Sequence, residues 1–323
     1  MLYDVGLTIT YDYAASADAG RHLVRLMPAD LQGEQRAIAG TLSVEPRPQE
    51  WIDRIDFFGN RFTELLFDEP HEEIVFKVQA RVDRLGPGSQ FDISPPLSML
   101  AQEIAAYRGI DPWSPHHFTG STLRAPIEHS TADFAKNVVQ AGASTFETVS
   151  AINSALHRDM TAYAREVTAG AATTFSAVSA VNSALNRYME FDPEATTVET
   201  SPEDAFERRR GVCQDFTHIM IACLRGIGIP AGYVSGYLRT IPPPGAEKLE
   251  GADAMHAWVR AWCGHETGWV EFDPTNAMLA GSDHVVVAYG RDYADVAPVK
   301  GSLRSAGPHE TRHFVDVVPV DPA

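Results

Sequence analysis

One of the three cysteines in the chain stands where a thiol becomes reactive. Apolar residues recur at helical spacing from Phe216 to Ile227, which predicts a helix with one buried face, and Gly211 precedes it. Cys213 therefore falls in the first turn, where unpaired N–H groups and the helix dipole favour a thiolate and could hold an oxyanion. Cys223 falls on the apolar stripe, as an ordinary core residue would.

A candidate base and a carboxylate follow on two alternating segments. MHAWVRAW places His256 on one face of a strand, and TGWVEFDPT places Asp273 on one face of the next. A hairpin turn at residues 263–266 would set the two side chains directly opposite, with Cβ atoms about 5 Å apart; a shift of two residues would make them diagonal neighbours. A carboxylate fixes the imidazole tautomer, so that the other ring nitrogen can take or hold the thiol proton.

Composition excludes several classes of function. The formal net charge of −17 argues against nucleic acid or an anionic membrane as a routine partner. The start has no signal-peptide pattern, and no apolar run reaches the roughly 18 residues of a membrane helix. Three cysteines, none in a CxxC pair, make a disulfide framework or a structural zinc site unexpected, and we expect a reducing cytoplasm. No phosphate-binding glycine motif occurs, and we expect no cofactor and no metal.

The hydrophobic period divides the chain into three parts. Residues 1–88 alternate like strands and predict a β-rich domain, residues 89–130 are a Gly/Pro-rich linker, and residues 131–323 form the domain that carries the chemistry. Within the last part, residues 145–160 and 174–189 match at 11 of 16 positions, which indicates a duplicated helix.

Three ordered blocks, GVCQDFTH, MHAWVRAW and GWVEFDPTN, resemble the Cys, His and Asp blocks of the transglutaminase-like superfamily, in its bacterial cysteine protease branch. IPAGYVSGYL and HVVVAYGRDYADVAPVKG extend the resemblance, and DFFGN and EPHEEIVFKV resemble the N-terminal β domain of that branch. The resemblance implies an α+β, papain-like core, in which a cysteine-bearing helix packs on an antiparallel sheet after a β-rich domain. It carries Cys213, His256 and Asp273 over as a catalytic triad.

The resemblance also suggests walls for a substrate pocket. The candidates are Tyr233, Tyr237, Trp258 and Asn276. Ordinary packing in a core or a turn is the simpler interpretation of Trp258 and Asn276.

Three functions remain open from the sequence. The first is a thiol hydrolase that cleaves a peptide or isopeptide bond in a peptide or protein substrate through an acyl-enzyme. The second is a transglutaminase, in which an amine resolves the same intermediate. The third is a peptide-binding module without activity, which is disfavoured because all three triad residues are present. The resemblance to a calcium-free bacterial branch favours hydrolysis.

Overall fold

The structure of the protein is a computed structural model that describes most of the chain. The described residues are 1–86, 92–127, 132–133, 136, 144–152, 196, 200, 204–205, 208–241, 251, 253–276, 278–303 and 307–320. Residues 145–152, the first half of the first copy of the duplicated helix (145–160), are helical. The rest of that copy and the whole second copy, 174–189, lie outside the described residues. No helix among the described residues is both long and apolar enough to cross a membrane.

Eight strands from the two ends of the chain form two four-stranded antiparallel sheets. They are β1 (Leu2–Ala17), β2 (Gly20–Val24), β3 (Gln35–Glu45), β4 (Glu50–Ile55), β5 (Arg61–Phe67), β6 (His71–Arg84), β12 (Val299–Leu303) and β13 (His309–Pro319). The strand orders are β13-β1-β6-β3 and β12-β2-β5-β4. In β6, Ile74, Phe76 and Val78 are buried while Lys77 and Gln79 are exposed, as strict alternation predicts.

The end of the chain completes the sheets of its beginning. Strand β13 pairs with β1 from Tyr3↔Pro319 to Tyr13↔His309, and β12 pairs with β2. Residues 299–319, expected within the second domain, thus add strands to sheets of the first segment. The interval 89–130, expected as a linker, contains helix α1 (Leu97–Ala106) and a short 3-10 helix (Pro115–Phe118).

Between these ends lies a five-stranded antiparallel sheet with helices packed against it. The elements are α2 (Cys213–Gly226), β7 (Ala231–Leu238), β8 (Ala254–Trp262), β9 (Trp269–Asp273), β10 (Met278–Leu279), β11 (His284–Gly290) and α3 (Tyr293–Val296). The strand order is β10-β9-β8-β7-β11, and α2 packs against β7 and β8. The expected α+β class, with a cysteine-bearing helix on an antiparallel sheet, is confirmed.

Helix α2 ends where its glycines allow the chain to reverse. Gly228 adopts φ +87°, a left-handed conformation that favours glycine. Its N–H donates to the carbonyl of Arg225 at 3.0 Å, and the N–H of Ile229 donates to the carbonyl of Leu224 at 2.9 Å. This pair of bonds satisfies carbonyls that the helix end would leave unpaired, and it directs the chain into β7.

Two buried amides fasten the N-terminal sheets to the central one. Strand β11 is an edge strand, whose outer N–H and C=O groups need partners. The side chain of Gln35 donates to the carbonyl of Val286 at 2.7 Å and accepts from its N–H at 2.8 Å. Asn60 makes the same two bonds with Tyr289, at 2.7 and 2.8 Å. Each amide thus pairs with one residue of the edge as another strand would.

The pairing of β13 predicts unequal effects for two adjacent valines. Val317 is fully buried, whereas Val318 is 49% exposed. We expect Val317→Ala to lower the free energy of unfolding by about 2 kcal/mol, through lost methyl burial and a residual cavity. Val318→Ala is the matched control and should change it by less than about 0.5 kcal/mol. Urea unfolding measures both, and equal losses would contradict the register of β13.

Candidate active site

Cys213 is the first residue of α2, as the sequence predicts, and its side chain is only partly buried. The preceding Val212 is extended, and its N–H donates to the Asp215 carboxylate at 2.7 Å, which fixes the start of the helix. A side chain at Gly211 would collide with that same carboxylate, so this close approach requires glycine. The local sequence therefore holds the thiol at the helix N-terminus.

The other two cysteines have a different environment. Cys223 and Cys263 are fully buried, and none of the three forms a disulfide. Burial raises the pKa of the Cys223 thiol to about 12 and also raises the pKa of Cys263. Both remain neutral thiols at physiological pH, and Cys223 is the core residue that the sequence predicted.

The hairpin that carries the other two candidates has a different register from the expected one. Trp262 pairs with Trp269, so the connection is two residues longer than the four-residue turn expected from the sequence. His256 and Asp273 are therefore diagonal neighbours, and directly opposed positions were the wrong expectation. A shift of two residues keeps both side chains on one face, and Nε2 of His256 lies 2.8 Å from Oδ2 of Asp273.

Backbone geometry explains the longer turn. Gly264 and Gly268 adopt φ of +98° and +72°, conformations open to glycine. The N–H of Gly268 donates to the carbonyl of Gly264, and the N–H of Cys263 donates to the carbonyl of Gly268, each at 2.8 Å. Both glycines lie inside the connection. The turn predicted from polar residues alone, 263–266, is therefore two residues shorter than the connection in the structure.

Five donors converge on the buried carboxylate of Asp273. Its Oδ2 accepts from His256 at 2.8 Å, from Nε2 of His284 at 3.0 Å and from the Asn276 amide at 2.7 Å. Its Oδ1 accepts from the backbone N–H groups of Thr275 and Asn276, at 3.0 and 3.2 Å. Burial would raise the pKa of Asp273, but hydrogen bonds from the two histidines and Asn276 outweigh it and lower the pKa. Asp273 is therefore ionised across the physiological range.

His284 is a residue of this network that the sequence analysis did not assign. Its Nδ1 accepts a hydrogen bond from the N–H of Gly281 at 3.1 Å, so the ring proton resides on Nε2 and points to Asp273. The only trace in the sequence is one polar residue at the start of the apolar run HVVVAYG. Nothing local in the sequence links that residue to Asp273, because they lie on different strands.

His256 connects this carboxylate to the thiol. It is 7% exposed, it is hydrogen-bonded to Asp273, and Cys213 lies close enough to raise its pKa. Burial disfavours the imidazolium, but the hydrogen bond and charge of Asp273, together with the interaction with Cys213, raise the pKa of His256 to about 10. Since Nε2 faces Asp273, Nδ1 is the nitrogen left for the thiol. The structure thus brings together the three residues predicted from sequence.

The four pocket-wall candidates lie in different places. Tyr233, Tyr237 and Trp258 are buried. The Tyr237 hydroxyl donates to the carbonyl of Leu26 at 2.5 Å, and the Trp258 indole donates to a carboxylate oxygen at 2.9 Å. Asn276 is exposed but its amide orients Asp273, so it acts on the carboxylate from the turn.

The same cluster has the composition of a metal site. Ligand atoms of His256, Asp273 and His284 all lie within 4.8 Å of one another. The proton that Gly281 fixes on Nε2 of His284 occupies the atom that would have to bind the ion. The donors and acceptors instead match one another as a hydrogen-bond network.

Loss of the hydrogen bond that His284 donates to Asp273 should lower the rate at which the Cys213 thiol reacts. In His284→Phe we expect alkylation of Cys213 by iodoacetamide to fall about tenfold, the equivalent of one hydrogen bond to a charged group. His284→Gln, which can present an amide N–H, should recover part of the rate across the pH profile. His313→Gln, an exposed histidine on β13, is the control and should react as the unmodified protein does. An unchanged rate in His284→Phe would show that Asp273 needs no second histidine.

Comparison with known proteins identifies two families in the chain. The Transglutaminase-like superfamily core matches residues 161–274, and the Bacterial transglutaminase-like N-terminal region matches residues 3–83. An uncharacterized protein of Mycobacterium tuberculosis is 31% identical over 291 residues, which cover 89% of this chain and 83% of that protein. An uncharacterized protein of Mycobacterium leprae is 39% identical over 132 residues, 40% of this chain and 45% of that protein.

A solved structure shares the fold. A protein of Cytophaga hutchinsonii, provisionally named a cysteine protease, aligns with a TM-score of 0.57 at 20% identity, over 100% of this chain and 92% of that one. These matches and the fold indicate a thiol-dependent enzyme in general terms. The chain belongs to the transglutaminase-like superfamily and begins with the bacterial N-terminal region of that family.

Proposed function

We propose that the protein is a thiol hydrolase that cleaves an amide bond, in a peptide or isopeptide, through an acyl-enzyme on Cys213. The observation that carries the proposal is the buried hydrogen bond between His256 and Asp273 beside Cys213, whose thiol is partly exposed at a helix N-terminus. A nucleophile, a base and an orienting acceptor in contact are the parts that acyl transfer requires.

Each residue has a role in the proposed reaction. The Cys213 thiolate attacks the amide carbonyl, and N–H groups of the first turn of α2 stabilise the oxyanion. The imidazolium of His256 donates its proton to the leaving amine as the C–N bond breaks, leaving a thioester on sulfur. Water then attacks the thioester, giving its proton to His256, and the carboxylic acid departs as the thiolate re-forms. Asp273 keeps its charge throughout and holds the ring in one tautomer.

The identity of the acyl acceptor separates a hydrolase from a transglutaminase. A partly exposed Cys213 supports access of water to the thioester, whereas amine transfer needs water to be excluded. The buried, reduced Cys223 and Cys263 support our further proposal that the enzyme works in the reducing cytoplasm.

Substitution of the three residues tests the proposal on peptide libraries assayed by mass spectrometry. We expect Cys213→Ala to abolish turnover with the fold intact by circular dichroism. His256→Ala should lower kcat by at least about 10³, and Asp273→Asn by a smaller but large factor, because it leaves the imidazole without its orienting acceptor. Cys223→Ala is the matched control and should retain activity.

The same assay with an added labelled amine identifies the acceptor. Hydrolysis predicts the free acid as the main product even when the amine is abundant. An amide adduct in its place would support the transglutaminase alternative, and turnover by Cys213→Ala would contradict both.

The pKa of His256 gives a direct test of the proposed ion pair between the Cys213 thiolate and the His256 imidazolium. A pKa raised to about 10 means that the imidazolium persists at pH 8 and loses its proton only as the pH rises through about 10. Cys213→Ser removes the negative partner, so the midpoint should fall as burial regains its effect. Nitrogen NMR of the imidazole measures both midpoints. A midpoint near 6.5 in the unmodified protein would contradict a thiolate–imidazolium pair.

A further inference from the structure

A cavity of about 670 Å³ lies on the face of the central sheet that carries His256 and Asp273. Residues 30–34 and 84–86 of the N-terminal segment form one wall, and strands β8, β9 and β11 contribute the other. Arg260, four residues beyond His256 on β8, lines this space, and four strand residues span about 13 Å. The Arg260 cavity is thus separate from the thiol, with the buried Trp258 between them.

Aromatic rings surround the Arg260 guanidinium. Its central carbon lies 4.7 Å from the ring centre of Trp113, 4.4 Å from that of Trp269 and 4.4 Å from that of Tyr289. The side chain is only 7% exposed. Within the described part of the chain it makes no hydrogen bond and no ion pair, and its Nε is buried without a partner. The Nε–H is therefore buried without an acceptor, and none of the described residues accepts from the rest of the guanidinium.

The carboxylate that strand pairing offers to Arg260 is occupied elsewhere. Glu271 lies directly opposite Arg260 on β9. Its two oxygens instead accept from the Trp258 indole at 2.9 Å and the Tyr289 hydroxyl at 2.6 Å, and Arg84 approaches to 3.6 Å. Glu271 forms no ion pair with Arg260, although its charge and that of Glu34 still act on the guanidinium, which lines the cavity.

An unpaired buried cation is costly, and the stacked rings offset only part of the cost. Burial accordingly lowers the pKa of Arg260. A carboxylate matches the planar fork of a guanidinium with two parallel hydrogen bonds, so it would supply the acceptors that the protein withholds. Leu31, Leu279 and Ala280 form an apolar part of the wall, which suits an apolar body, and Arg84 and Glu271 also line the cavity.

We propose that the Arg260 cavity binds the carboxylate of a small, flat or apolar monocarboxylic acid through the Arg260 guanidinium. The exposed Asp30 and Glu34 at the rim disfavour a second negative charge, so we expect a dicarboxylate to bind more weakly than a monocarboxylate. The site acts independently of the proposed hydrolysis.

Calorimetry with benzoate and benzamide, which differ in charge but hardly in shape, tests this on the full chain. We expect benzoate to bind with Kd below about 1 mM and benzamide at least about tenfold more weakly. Arg260→Met should abolish the preference for benzoate, and Arg260→Lys, which keeps the charge without the fork, should retain part of it. Indole NMR signals of Trp113 and Trp269 should shift with benzoate.

Arg25→Met is the matched control, because Arg25 is also a buried arginine over a ring but is paired with Asp56 at 3.4 Å. It should bind benzoate as the unmodified protein does. Equal affinity for benzoate and benzamide in the unmodified protein would overturn the proposal without any variant. Unchanged benzoate binding by folded Arg260→Met would also overturn it.

Discussion

The ionised carboxylate of Asp273 is the interaction on which the rest of the site depends. A fully buried carboxylate costs several kcal/mol unless its oxygens are satisfied, and here five donors satisfy them. The donors come from β8, from the turn after β9 and from β11, which lies at the far edge of the sheet from β10. Because each donor must be in place, the carboxylate specifies how these elements meet. It also fixes the orientation of His256, and through it the partner of the thiol.

The N-terminal sheets support that arrangement from outside. Gln35 and Asn60 satisfy the open edge of β11, the strand that begins with His284. A two-point amide bond holds one residue of an edge in place without extending the sheet, so the edge is protected from pairing with another chain. The return of β12 and β13 to the first sheets ties both ends of the chain into the same support. The position of β11, which carries His284, thus depends on the N-terminal sheets as well as on the central sheet.

The sequence predicted which side chains share a face of a helix or strand, but not the register that sets the distances between them. The position of Cys213 and the shared face of His256 and Asp273 follow from helix capping and from the two-residue period of a strand, which are local. The hairpin register depends on turn length, and the positive φ angles of Gly264 and Gly268 are invisible to a polarity pattern. His284 could not be assigned, since its role exists only once β11 is placed in the sheet. Asn276 was considered for the pocket wall, while its bond to Asp273 requires the folded turn.

One face of the β8–β9 hairpin carries two charged side chains, Asp273 and Arg260, that differ in their hydrogen bonding. Asp273 has every acceptor site engaged, whereas Arg260, two positions past Trp258, has no hydrogen-bond partner among the described residues. Glu271 contributes to the difference, because its oxygens bond to Trp258 and Tyr289 and it forms no ion pair with Arg260. The arrangement is stable only if the protein gains elsewhere what Arg260 loses, and a site that receives an anion is where such a loss is useful. The same sheet therefore carries a fully hydrogen-bonded carboxylate that orients His256 and a guanidinium that, in our proposal, binds a carboxylate ligand.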